Sequence, residues 1–185
     1  MKNNIKIMAK GSILILKDKI DVNKLIEQLN MALSEEWLAY YQYWIGSFLI
    51  KGNQRAAIQK ELMEHAQEEL KHAEMLANRI IELEGNPVSD PVRWFDMAKC
   101  KYYDPKDENI AVVLRQNIEG ERCAIVRYKY IIDMTHGIDY TTCEMAKHIL
   151  REEEEHEQEM QDFLDDINEM HKCMMKQMTT NDVNM

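Results

Sequence analysis

Two stretches of this chain repeat one polar pattern inside otherwise apolar helical stripes. The first reads Glu36-x6-Tyr43, then 25 residues, then Glu69-x2-His72. The second reads Glu121-x6-Tyr128, then 24 residues, then Glu153-x2-His156. Glu36 lies seven after Leu29, Glu69 seven after Leu62, Glu121 seven after Leu114 and Glu153 four after Ile149. Seven residues is close to two helical turns, so each carboxylate shares the core-facing side of its helix. An unpaired buried carboxylate is very costly. Four that converge need cations or protons between them. The fold must therefore gather four helices around one charged centre.

Only three prolines and six glycines interrupt the chain, which leaves room for long helices. We expect helix A from about Asp21, its N-cap, to about Lys51, with Lys51-Gly52-Asn53 as a turn. Helix B is expected from about Gln54 to Glu84, stopping at Gly85-Asn86-Pro87. A crossover rich in Pro, Asp, Tyr and Lys runs from Pro87 to about Asp107. Helix C is expected from about Glu108 to Thr135, and His136-Gly137 forms the second turn. Helix D starts near Asp139 or Thr141 and runs to about Met174. The apolar stripes are Leu25, Leu29, Ala32 and Tyr43 on A, and Leu62, Leu76, Ile80 and Leu83 on B. On C they are Leu114, Ile118, Ile125 and Ile132, and on D Ile149, Met160, Phe163 and Ile167. The fold class is all-α: a four-helix bundle with a long B–C crossover. Each of the four glutamates lies about 16 residues, roughly 24 Å, from its own hairpin tip. With the crossover spanning the bundle, both turns are expected at the same end.

The length suits one domain, divided as an N-terminal extension (1–20), the bundle (21–175) and a frayed tail (176–185). Formal net charge is −10, which argues against a general nucleic-acid binder. The exception is the arm, with Lys2, Lys6, Lys10, Lys17 and Lys19 against Asp18. It reads as a solvated extension or as a weak DNA contact. No run is long enough to span a membrane, and no signal peptide is recognisable, so a cytoplasmic location is expected. Cys100, Cys123, Cys143 and Cys173 are too few for a secreted disulfide framework and contain no C-x-x-C pair.

One Glu from each of two helices plus Glu-x-x-His from each of the other two is a di-metal carboxylate set. Carboxylate and imidazole suit iron or manganese, and zinc by ligand type as well. A lone E-x-x-H is weak evidence, as Asp133-x-x-His136 illustrates for D-x-x-H; the doubled set at matched depth is specific. Glu152 to Glu155 reads as a solvated face with only Glu153 turned inward. His65, seven before His72, reads as a satisfied core histidine or a neighbour of the centre. Tyr43 and Tyr128 either pack or hydrogen-bond an opposing carboxylate. The fourteen methionines read as core filler and tail.

Across roughly residues 20 to 170 the chain resembles the bacterioferritin and Dps-like branch of the ferritin superfamily. EELKHAEMLANRIIELEGNP and ILREEEEHEQEM are similar to the second and fourth helices of bacterioferritins. EGERCAIVRY…DMTHG, with Cys100 upstream, is similar to the Dps-like thioferritins. That resemblance implies a ferritin-like fold, hollow twelve-subunit cages, and two iron ions per subunit held by Glu36, Glu69, His72, Glu121, Glu153 and His156. It also implies a cysteine pair beside the metals. Cys123 is two residues after Glu121, about 200° round the helix, and so faces away from the centre toward whatever covers the bundle. Cys143, ten residues from Glu153, is a poor partner for it. With the resemblance Cys100–Cys123 is the redox candidate; the residues alone favour two ordinary buried thiols. Leu70 stands where bacterioferritins place their haem-binding methionine, so haem is not expected. A fifth helix is not expected after helix D, which favours the smaller cage. Ordinary Dps proteins place the metal site between subunits, whereas this chain carries a complete set.

The expected activity is that of a mini-ferritin ferroxidase, an enzyme that oxidises Fe(II) with hydrogen peroxide or dioxygen and stores Fe(III) in a homododecamer. The catalytic set is then the six ligands with Tyr43, Tyr128, Cys100 and Cys123. The alternatives are a rubrerythrin-like peroxidase without iron storage and a DNA-coating protein of Dps type.

Overall fold

The computed structural model describes residues 10–182. Four long helices dominate: α2 (Val22–Leu49), α3 (Arg55–Glu82), α5 (Ile110–Thr135) and α6 (Tyr140–Asp182). A short α1 (Gly11–Leu16) precedes them. The crossover holds a 3-10 turn at Pro91–Arg93 and a single helical turn, α4 (Trp94–Met97). There is no strand among the described residues, and the all-α four-helix expectation holds.

Capping chemistry sets the starts. Asp21 accepts the Lys24 N–H, and Asn109 accepts the Ala111 N–H. Asp139 does the same for α6 through the Thr142 N–H. The two hairpin turns use Gly52 and Gly137 at positive φ, where a side chain would be strained. α6 runs to Asp182 and does not stop near Met174 as expected.

α2 packs along α3, and α5 along α6. Lys51 N–H donates to Glu108 C=O (3.0 Å), so the first turn lies beside the start of α5. Arg79, near the end of α3, holds Asp139 in the second turn through two hydrogen bonds of 2.9 Å. The hairpin turns therefore lie at opposite ends of the bundle, which corrects the expectation of a shared end. A crossover that spans the bundle returns the chain to the first turn before the third helix begins. The depths still agree because about 16 residues is slightly more than half of a 26- or 28-residue helix. Counting from either end reaches nearly the same middle layer.

That layer separates two apolar clusters. One contains Leu25, Leu29, Leu76, Ile80, Ile131 and Ile149; the other contains Ile50, Ile58, Leu62, Leu114, Ile118 and Met160. Ile125 and Ile132 of the expected α5 stripe are only partly buried, and Tyr128 and Ile131 fill that side instead.

The described part of the N-terminal extension docks on the bundle. Leu16 is buried, and Ile13 and Ile20 pack against the first cluster. The Lys10 backbone N–H donates to Glu84 (2.7 Å) and its Nζ to the Ile81 carbonyl (3.0 Å). Lys2 and Lys6 lie outside the described residues.

Polar side chains of α2 stitch the crossover along the bundle. Asn30 donates to the Asn86 carbonyl (3.1 Å) and accepts the Val88 N–H (2.6 Å). Glu35 accepts the Lys99 and Cys100 N–H groups, and Gln42 accepts that of Tyr103. Trp94 stacks on Trp37 with ring centroids 5.4 Å apart. Asn30→Ala would strand two backbone groups in a largely buried place. We expect a loss of about 1–3 kcal/mol, read as a lower urea midpoint at unchanged slope.

Candidate metal centre

The middle layer is built by one or two residues from each long helix. α2 supplies Glu36, α3 Glu69 and His72, α5 Glu121, and α6 Glu153 and His156; all six are buried. They fall into two groups that share members: Glu36, Glu69, His72 and Glu153, and Glu69, Glu121, Glu153 and His156. Within each group the ligand atoms lie within 4.8 Å of one another. Glu69 and Glu153 belong to both, so their two oxygens face two positions at once.

Both imidazoles turn Nδ1 inward. His72 Nδ1 lies 3.1 Å from Glu153, 3.2 Å from Glu69 and 3.4 Å from Glu36. His156 Nδ1 lies 3.5 Å from Glu69, 3.6 Å from Glu153 and 4.0 Å from Glu121. Their outer nitrogens are held by carboxylates. His72 Nε2 meets Glu152 at 2.7 Å, and His156 Nε2 meets Glu68 at 2.9 Å. With the Nε2 proton given to those acceptors, the Nδ1 lone pair is left for a cation. The sequence reading missed both residues. Their signal is a doubled glutamate, Glu68-Glu69-x2-His72 and Glu152-Glu153-x2-His156. Periodicity alone hides it, because Glu152 lies one residue off the inward line and reads as part of a solvated face.

The tyrosines cross-brace the site. Tyr43 Oη donates to Glu121, and Tyr128 Oη donates to Glu36. Burial, followed by the charge of those same carboxylates, raises both phenols and keeps them as donors.

The electrostatics are those of a crowded anionic cluster. Burial, then Glu69 and Glu153, hold Glu36 well above the ordinary carboxylate range. Burial, then Glu153 and Glu69, do the same for Glu121. Burial also opposes ionisation of Glu69, but the imidazoles of His156 and His72, 3.5 and 3.2 Å away, outweigh it and hold Glu69 well below that range. Glu153 is likewise lowered, against burial and Glu69, by His156 and His72. Burial disfavours charged imidazoles, yet Glu153, Glu36 and Glu69 raise His72 far above its usual value. Glu153 and Glu69 push His156 up to about 12.

These residues fit a pair of metal ions. Glu36 Oε2, Glu69 Oε1, both Glu153 oxygens and His156 Nδ1 are buried without a hydrogen-bond partner. Orphaned buried polar atoms are rare in folded proteins, and these belong to the two groups that share Glu69 and Glu153. The donor set, oxygen-rich with one imidazole per position, suits iron, manganese or zinc.

A cavity of about 40 Å³ adjoins the site, lined among others by Glu36, Tyr43, Gln42, Glu121, Cys100 and Gly120. It has room for roughly two or three water-sized molecules. Cys100 and Cys123 are joined as a disulfide, with Cα atoms 5.5 Å apart. Glu35 accepts from Arg127 Nε (2.8 Å) as well as from the Cys100 N–H, fixing the disulfide-bearing crossover over the bundle. Cys143 is buried and free, and Cys173 is exposed and free. His65 is buried with Nε2 2.9 Å from Glu159, its ring stacked on His156 at 4.0 Å.

Four long helices with one spanning crossover, closed around paired Glu/His groups, define a ferritin-like bundle with a candidate di-iron carboxylate centre. The chain belongs to the ferritin family: the ferritin-like domain matches residues 26–170. It is similar to a dodecameric thioferritin, the bacterioferritin-related protein from Bacteroides fragilis, at 57% identity and a TM-score of 0.86, covering 88% of this chain and 96% of that one. It is 38% identical over 153 residues, 82% of each chain, to the DNA protection during starvation protein of Pyrococcus furiosus. It is 31% identical over 134 residues to the bacterioferritin of Brucella melitensis, covering 72% of this chain and 78% of that one. No described helix is long and apolar enough to cross a membrane.

Proposed function

We propose that the protein is a mini-ferritin ferroxidase. It takes two Fe(II) ions as substrate, oxidises them with hydrogen peroxide or dioxygen, and stores Fe(III) inside a cage of twelve subunits. Cells gain protection because peroxide is consumed without release of radicals; a cytoplasmic setting suits that role. The observation that carries the reading is the set of unpartnered buried ligand atoms shared between two groups. Similarity to the dodecameric thioferritin supports the assembly.

In each turnover two Fe(II) give up one electron apiece. The O–O bond of peroxide breaks, two protons are taken up, and two Fe(III) and two waters result. Glu36 and His72 hold one ion, Glu121 and His156 the other, and Glu69 and Glu153 face both. Two one-electron donors at one place deliver an electron pair together, so hydroxyl radical is not set free. Tyr43 and Tyr128 keep Glu121 and Glu36 aimed inward. Glu68 and Glu152 orient the imidazoles. The cavity beside Glu36 and Glu121 admits the oxidant.

We assign Cys100, at the cavity wall, and its disulfide partner Cys123 a redox role. Opening the disulfide to two thiols takes two electrons and two protons from an external reductant such as a dithiol. That placement also favours a second reading, a rubrerythrin-like peroxidase that turns over without storing iron.

Anaerobic Fe(II) loading followed by equal additions of each oxidant tests the proposal. We expect one peroxide consumed per two Fe(II), a particle mass of twelve subunits, and iron per particle far above the ligand sites; the two rates show which oxidant is preferred. Iron that never exceeds the ligand sites would leave the peroxidase and remove the storage protein.

A further inference from the structure

We propose that Glu61, His65 and Glu159 form a third, mononuclear site for a divalent cation such as Fe(II), Mn(II), Co(II) or Zn(II), set in the bundle wall beside the paired centre. The inference stands on these three residues and does not rest on the ferroxidase reading.

Glu61 and His65 are four apart on α3 and so lie on one helix face. Glu159 reaches the same point from α6, three residues after His156. His65 Nε2 lies 2.9 Å from Glu159 Oε2 and 3.6 Å from Glu61 Oε1. One ligand atom from each residue lies within 4.8 Å of the others. Ligands held about 2.0–2.2 Å from an ion are at most about 4.4 Å apart, so sub-ångström shifts close the site.

The imidazole is preorganised. His65 is 1% exposed, stacked on His156 with an interplanar angle of 20°, and met edge-on by Tyr43 at 5.3 Å. Packing on both rings leaves it one orientation, with Nε2 toward the two carboxylates. A single imidazole N–H satisfies one of them, and the second then faces a like charge across the cluster. Burial and Glu159 raise the Glu61 carboxyl, and Lys60 offsets this only in part. Lys60, the adjacent cation, has its Nζ on Glu64 at 2.7 Å. Among the described residues no lysine or arginine forms an ion pair with Glu61 or Glu159. A divalent ion supplies the missing charge.

The site is separate from the paired centre and open where that centre is closed. His156 already uses Nδ1 toward Glu69 and Nε2 toward Glu68, so it lends no atom here. The Glu159 side chain is 51% exposed and that of Glu61 21%. Solvent can therefore complete the coordination, and the ion exchanges from outside the bundle. Two carboxylates and one imidazole form an oxygen-rich set for hard or borderline divalent ions.

Anaerobic Co(II) titration, followed by visible absorption and bound-metal analysis, decides the matter. Crystals soaked in Co(II) add anomalous density. We expect three Co(II) per subunit in the parent, including a peak bonded to His65 Nε2. The double variant Glu61→Gln/Glu159→Gln, isosteric and at part-exposed positions, should retain two. Glu69→Ala should lose the paired ions and keep the peak at His65. A parent that saturates at two, with no density at His65, overturns the site. So does a double variant that binds as much Co(II) as the parent. If the parent binds one ion, lost in the double variant and kept in Glu69→Ala, the third site stands and the paired centre falls.

Discussion

Glu69→Ala is expected to slow Fe(II) oxidation by peroxide at least about 100-fold while far-UV circular dichroism stays that of a helical bundle. Outer partners of metal ligands alone typically cost roughly 10–100-fold in affinity or activity. Glu69 is more than that, because its two oxygens face both groups and its neighbours His72 and His156 converge on it. Removing it takes a ligand from each ion at once. The helices should survive, since Leu62, Leu76 and Ile80 of the same helix remain packed in the two flanking clusters. Stopped-flow absorbance after mixing Fe(II)-loaded protein with peroxide reads the rate. An unchanged rate in the folded variant would show that oxidation happens elsewhere in the molecule.

Metal binding is expected to release protons and to weaken steeply as pH falls. In the metal-free protein His72 and His156 are raised, and His156 stays charged up to about 12. Glu36 and Glu121 are raised as well and hold their protons above the ordinary carboxylate range. Glu69 and Glu153 are lowered and stay ionised. Two imidazoliums facing two carboxylates leave the buried cluster nearly neutral, which is how it tolerates burial without metal. Two divalent ions restore the same balance against four carboxylates and neutral imidazoles. The sign follows: each group with a raised value must lose its proton before it can bind, so higher pH favours metal and lower pH favours the protonated, empty cluster. Release of about two to four protons per ion pair is expected near neutrality. A drop of one pH unit should then cost about 100-fold or more in affinity for the pair. Calorimetric titration with Zn(II) in two buffers of different ionisation enthalpy counts those protons. Zero release would mean that the six residues are not the ligands.

Much of this was legible from spacing. Leu25, Leu29, Leu62 and Ile80 announce their buried faces because helical periodicity projects directly onto burial. The six Glu and His residues announce themselves because charge on an apolar stripe is so costly that it demands an explanation. Other features were not legible. Asn30, Glu35 and Gln42 look like ordinary polar residues on α2, and only the path of the crossover turns them into its anchors. Glu68 and Glu152 sit one residue off the inward line, where a side chain's direction depends on which helix lies opposite. Leu16 and Lys10 belong to a segment whose lysines suggest a solvated arm, yet part of it folds back on the bundle.

The deepest division concerns distance along the chain. Local sequence settles where helices start, which face is greasy and which residues interrupt it, because those depend on neighbours three, four or seven positions away. It also reveals the doubled pattern of ligands. It could not place the two hairpin turns at opposite ends, cross Tyr43 onto Glu121 and Tyr128 onto Glu36, or join Cys100 to Cys123 above the cavity. Those contacts link residues far apart in the chain. They form only when a crossover carries the second hairpin back along the first, so packing in three dimensions settles them.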